Sequence, residues 1–320
     1  MPSTYPMANV SSEPANLHDT ALELQRVTKT YGHRKVVNEV SLSVKKGEIF
    51  GLLGPNGSGK TTTIRMALDI VRSDSGSISL LGGRPVREVL QRIGYLPEER
   101  GVYRNERVIK ILRYFGRLKG LDSAAATARG DHMLQRVGLL EWRSAKAEAL
   151  SRGMSQLVQF CGALLHEPDL IILDEPFSGL DPLNVQLMKD IIQEQQQRGA
   201  AIIFSTHIMA DVEELCQRVA LLSDGQLLLY GNLLELKRAR GTHSVRVTAP
   251  RQPGVIPGVV ERGTENGSFE YRLEPGTEPN AVLRSFLEEG IPLDRFEVAL
   301  PSLNEIFIEE VRRARASRPD

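Results

Sequence analysis

Apolar positions along the chain change character several times. "ALELQRV" and "VVNEVSLSV" alternate apolar and polar residues, the period of strands with one face in a core, whereas "IFGLL", "LIILD" and "AIIFS" are short unbroken apolar runs typical of strands covered on both faces. The last three predict a central parallel sheet. In "VIKILRYFGRLKGL" the residues Ile109, Leu112, Phe115 and Leu118 read as one helical face, and predict a helical subdomain, about residues 100–165, inserted into the sheet domain. "RVALLSDGQLLLYG" places Asp224 and Gly225 between two apolar runs, a hairpin that closes a first domain spanning residues 21–240. Beyond it "SVRVTAP", "FEYRLE" and "FEVAL" alternate as strands, and "NAVLRSFLEEG" reads as a helix. "SLNEIFIEEV" opens with Ser302 and Glu305 in capping-box spacing, so residues 241–320 form a small second α/β domain. Residues 1–20, rich in Pro, Ser and Asn and without a basic segment followed by an apolar one, are expected to be a flexible tail rather than a secretory signal.

Charge and composition remove several function classes. Lys+Arg 40 against Asp+Glu 40 leaves no net charge, so no broad electrostatic hold on nucleic acid is expected. The longest apolar runs fall far short of the roughly 20 residues that a membrane-spanning helix needs. The two cysteines, Cys161 and Cys216, lie far apart without metal-ligand spacing, which fits buried thiols in a reducing compartment and no zinc site.

The chemistry is concentrated in "GLLGPNGSGKTTTIRMALDI", residues 51–70: a buried strand, a glycine-rich turn and a helix. Gly54, Gly57 and Gly59 let the backbone curl so that successive N–H groups converge, and a helix starting near Lys60 aims its positive dipole end at the same point. The stretch Gly54, Pro55, Asn56, Gly57, Ser58, Gly59, Lys60, Thr61, Thr62 satisfies G-x-x-x-x-G-K-[ST] in the strand-to-helix context that pattern requires. It predicts a polyphosphate cradle, with Lys60 on the β and γ phosphates and the Thr61 hydroxyl on Mg²⁺. "LIILDEPFSGLD", residues 170–181, supplies the second half: Asp174 at a buried strand end approaches Mg²⁺ through its water shell, and Glu175 polarises an attacking water.

With these motifs in place, residues from about 22 to 240 resemble the ATP-binding subunit of ABC transporters. The resemblance implies a P-loop NTPase of the ABC type, α/β in class, with an inserted helical subdomain and a small C-terminal α/β domain. Through it Tyr31 matches the aromatic residue on which adenine stacks, and "LSRGM", residues 150–154, resembles the LSGGQ motif that faces ATP held by the opposite subunit. Asp181, ending "SGLD", matches the loop along the subunit interface, and His207, ending "IIFSTH", matches the switch histidine at the γ phosphate. Glu175, His207 and Lys60 are then the catalytic set; Ser151, Gly153 and Asp181 serve the partner's ATP; Thr61, Asp174 and Glu98 attend Mg²⁺. Glu98 stands where the family has Gln, and Arg152 and Met154 replace a Gly and the Gln of LSGGQ. "YLPEERGVY" and "PSLNEIFIEEV" look most similar to the sodium-efflux-like and multidrug-like exporter branch.

The resemblance further implies ATP and Mg²⁺ as ligands and a homodimer that closes on two ATPs. It also implies a separate membrane permease that keeps the protein at the cytoplasmic face of the membrane, docked near Arg100, Val102 and Tyr103. Two other readings share parts of the motif set: a soluble ABC ATPase, and an ATP-dependent regulatory module not coupled to transport.

Overall fold

The computed structural model describes residues 19–316 apart from 84–85, 100, 102, 241–243, 266 and 275. The tail read over residues 1–20 lies outside the described residues except at its end, where Thr20 is buried and already begins the first strand. Contacts divide the chain into two compact units, Met1–Asn232 and Leu233–Asp320. The sequence reading put its boundary after residue 240; contacts instead assign the helix Leu233–Ala239 to the second unit.

The first unit runs β1 (Thr20–Tyr31), β2 (Arg34–Lys45), β3 (Ile49–Leu53), α1 (Lys60–Ala67), β4 (Ser75–Leu80), α2 (Val86–Val89), β5 (Ile93–Leu96), α3 (Val108–Leu118), α4 (Ser123–Arg136), α5 (Arg152–Leu164), β6 (Leu170–Asp174), α6 (Pro182–Gln197), β7 (Ala201–Thr206), α7 (Met209–Leu215), β8 (Arg218–Ser223) and β9 (Gln226–Asn232). Its principal sheet has the order β5-β6-β7-β3-β8-β9. Neighbours are parallel except β8 and β9, which form the expected hairpin about Asp224 and Gly225, both with positive φ. Every residue of β3, β6 and β7 is buried, as the unbroken apolar runs require. The antiparallel sheet β2-β1-β4 shares a core with this one, in which Leu24, Leu42 and Leu80 meet Phe50, Ile172 and Ile203.

Parallel register positions the site. Leu53 pairs with Thr206, Asp174 with Ser205, and Leu96 with Leu173, so four strands end at one level. The residues that follow, Gly54, Glu175, His207 and Glu98, therefore emerge on one edge of the sheet. The carboxyl ends of parallel strands are where open α/β sheets bind ligands.

Helices α3, α4 and α5 pack together between β5 and β6 in sequence, and form the predicted helical insertion. Its buried face agrees with the one read from sequence at Leu112, with Ile109 and Phe115 half-buried, and departs from it at Leu118. Val108, Ile111, Leu112 and Gly116 are buried in α3, whereas Leu118 is 57% exposed. Steps of three residues each fall about 60° short of a full turn, so three such steps carry Leu118 to the far side from Ile109.

The second unit adds α8 (Leu233–Ala239), β10 (Ser244–Thr248), β11 (Val259–Glu265), β12 (Ser268–Leu273), α9 (Pro279–Glu288), β13 (Arg295–Ala299) and α10 (Leu303–Ala316). Its antiparallel sheet, β11-β12-β10-β13, contributes Val245, Val247 and Tyr271 to a core with Val282 and Phe286 of α9. The capping box forms as read: Ser302 Oγ accepts from Glu305 N (3.2 Å) and Ser302 N donates to Glu305 Oε2 (2.7 Å).

Candidate functional site

The turn after β3 depends on glycine at two points. Gly59 has φ +107°, and a Cβ there would lie 2.5 Å from the Val36 carbonyl oxygen; at Gly54 (φ +151°) it would lie 2.2 Å from that of Leu222. No side chain fits either position, so the backbone itself forms the wall of the cradle. α1 starts at Lys60, with Thr61 and Thr62 half-buried in its first turn. Lys60 is buried and its Nζ donates to the carbonyl oxygens of Gly54 (2.8 Å) and Pro55 (3.4 Å). Ser58 is buried inside the turn, and its Oγ has no hydrogen-bond partner.

Across the sheet edge, Glu175 is buried with φ +48°, left-handed backbone that costs a non-glycine residue on the order of 1–3 kcal/mol. It is held there by its own N–H, which donates to the Ser205 carbonyl oxygen (3.1 Å), and by the next residue, whose carbonyl oxygen (Pro176) accepts from Gln156 Nε2 (3.1 Å). The Glu175 carboxylate sits 3.7 Å from Lys60 Nζ and 3.0–3.1 Å from His207 Nδ1. An ionised carboxylate only accepts, so Nδ1–H of His207 donates to it and Nε2 of the half-exposed ring is turned elsewhere. Asp174 is fully buried; its Oδ1 accepts from Ser205 Oγ and its Oδ2 has no partner. Burial and the nearby Asp174 carboxylate push the Tyr95 phenol up to about 12.

Two buried oxygens, Ser58 Oγ in the turn after β3 and Asp174 Oδ2 at the end of β6, therefore have no hydrogen-bond partner. Leaving such groups unmet costs several kcal/mol, most of all for a carboxylate. By their chemistry, a phosphate oxygen suits the hydroxyl and a hydrated divalent cation suits the carboxylate.

Other predicted residues fall into separate places. Tyr31 is 50% exposed at the end of β1, with Lys29 Nζ 5.6 Å from its ring centroid. Glu98 is exposed just beyond β5, and the adjacent Glu99 pairs with Arg65. Ser151 caps α5, its side chain accepting from Met154 N. Asp181 caps α6, and the hydrogen bond from the Asn184 backbone N–H holds its carboxyl below the usual range. A Cβ on Gly153 would sit 3.4 Å from Leu180 Cδ2, so Ser151, Gly153 and Asp181 form a second group. Among the described residues, no hydrogen bond or ion pair joins that group to Lys60, Glu175 or His207. Sequence reasoning missed Ser205 and Gln156, which fix Asp174 and the turn after Glu175; a polar residue inside an otherwise apolar run was their available signal.

Comparison with known proteins follows the same division. Residues 37–178 match the ABC transporter family, and residues 231–311 match the C-terminal domain of DrrA1-3-like ATP-binding proteins. The chain is 38% identical to the ABC transporter ATP-binding protein YhaQ of Bacillus subtilis, over 91% of this chain and 98% of that protein. The chain belongs to the ABC transporter ATP-binding proteins. Within that family it is 35% identical to the linearmycin resistance ATP-binding protein LnrL of Bacillus subtilis, over 71% of this chain and 74% of the other. A solved ATP-binding subunit of an ABC transporter superposes with a TM-score of 0.65 and 32% identity, covering 69% of this chain and 93% of that one.

Proposed function

We propose that this chain hydrolyses ATP as the energising subunit of an ABC exporter. The observation that carries the reading is the meeting of Lys60, Glu175 and His207 at one sheet edge, beside a glycine turn that admits no side chain. Gly54 to Thr62 bind the triphosphate, with backbone N–H groups and the start of α1 facing its charge, and Tyr31 offers a stacking surface for adenine. Lys60 exchanges backbone carbonyls for phosphate oxygens. Glu175 accepts a hydrogen bond from the attacking water, and His207, oriented through Nδ1, presents its other nitrogen toward the γ phosphate. Thr61, Asp174 and Glu98 would hold Mg²⁺, which when bound neutralises charge on the β and γ phosphates.

Ser151, Gly153 and Asp181 stand apart from this group, so a second copy is the natural source of their contribution: a homodimer with each ATP held between a cradle and the partner's α5. Among the described residues no helix is long and apolar enough to cross a membrane, and the membrane path is assigned to a separate permease. Export follows the resistance role in LnrL's name. The test is Glu175→Gln: Mg-dependent turnover should fall by about 10²-fold or more while ATP binding persists and an ATP-dependent dimer accumulates on size exclusion. Parental turnover in that variant would refute the assignment of Glu175.

A further inference from the structure

A buried ionic cluster lies outside the site. Lys189, in the middle of α6, is 6% exposed; its Nζ is 2.8 Å from Asp211 Oδ1 and 2.6 Å from Glu214 Oε2, both on α7. The same ammonium lies 5.7 Å from the ring centroid of Phe177, which stands edge-on to Phe204 at 5.9 Å. Phe177 is two residues beyond Glu175, Phe204 three before His207, and α7 begins two after His207. One cation thus touches the segments that follow both members of the pair.

These segments need external support. α7 has seven residues, too few to be stable on its own, and its N-cap, Ile208, provides no side-chain cap. Asp211 and Glu214 are one turn apart on one face of α7, and without a cation between them they repel. Glu175 holds a strained backbone, which persists only where neighbours over-determine it. A buried ammonium is costly unless paired, and here both carboxylates come from the helix that begins two residues after His207.

We propose that Lys189 is a positioning residue for the Glu175–His207 pair, pinning α7 and Phe177 to α6 so that the histidine and the carboxylate meet in register. This rests on the hydrolytic reading above. The experiment compares the full chain with Lys189→Met, Lys189→Arg and Glu214→Gln, measuring Mg-ATPase kcat and KM, ATP affinity, and amide hydrogen exchange over residues 209–215. Lys189→Met should lower kcat about 10- to 100-fold with ATP affinity within about twofold, and α7 should exchange faster. Lys189→Arg should restore most of kcat, because a guanidinium can serve both carboxylates. Glu214→Gln, at a half-exposed carboxylate, should act in the same direction by about threefold, and decides the matter if Lys189→Met does not fold. Faster α7 exchange with unchanged kcat, or equal loss of affinity and turnover, overturns the proposal. A parent chain without turnover overturns the hydrolytic reading itself.

Discussion

At the scale of the residue, the cradle is a set of exclusions. Gly59 combines a left-handed φ with a carbonyl oxygen 2.5 Å from where a Cβ would stand, so neither rotation nor a small shift admits a methyl group. Gly59→Ala should lose about 1–3 kcal/mol of stability and at least about tenfold in ATP affinity. Thermal melting and nucleotide titration read the two effects, and a fully retained affinity would show that the backbone curl is dispensable. The unpartnered Asp174 Oδ2 yields an opposite kind of expectation. Asp174→Asn removes a buried charge, so the chain without nucleotide should melt at an equal or higher temperature, while the stimulation of turnover by Mg²⁺ falls by at least about tenfold. A melting temperature well below the parent's would place the carboxylate's value in folding instead.

At the scale of the element, His166 joins the end of α5 to the central sheet. Its Nε2 lies 3.2 Å from the Ile93 carbonyl oxygen, so the neutral ring donates there, while Nδ1 is buried without a partner. Burial, with the positive charges of Lys119 and Arg129, brings its pKa down to about 4. In the unfolded chain the ring titrates near about 6.5, so between those values the unfolded state binds more protons and stability rises with pH. Stability should therefore decline as pH falls from about 6.5 toward about 4, and His166→Gln should flatten that slope. Melting temperatures of both proteins across this range test it; parallel curves would show that other groups control acid sensitivity.

At the scale of the whole molecule, two exposed aromatic side chains stand together where the sequence reading expected the permease to dock. Tyr103 (54% exposed) stands edge-on to Tyr114 (45% exposed), with ring centroids 5.6 Å apart. The neighbouring Arg100 and Val102, read from sequence as part of the same surface, lie outside the described residues. Amphipathic aromatics of this kind are frequent anchors of protein interfaces. If the proposed permease docks here, Tyr103→Ala should keep the ATPase rate of the isolated chain within about twofold and reduce transport through that permease at least about tenfold. Equal loss of both would make Tyr103 a folding residue.

The sequence by itself determined the elements whose signal is local. Unbroken apolar runs specify β3, β6 and β7 because both faces of each strand are covered, and the spacing of Gly54, Gly59 and Lys60 specifies the cradle because backbone curvature is a local property. The Asp224–Gly225 hairpin and the Ser302–Glu305 capping box were legible for the same reason. The α3 face was misread at Leu118, since a three-residue spacing drifts around a helix and only the neighbours α4 and α5 select the side that is buried. What the tertiary structure alone decided is which distant residues meet: parallel register brings Leu53, Asp174 and Thr206 to one level, and so sets Lys60, Glu175 and His207 within reach of one another. Pairing across strands far apart in the chain depends on packing of the whole sheet, which is also why Ser205, Gln156 and Lys189 acquire roles that no short stretch of sequence carries.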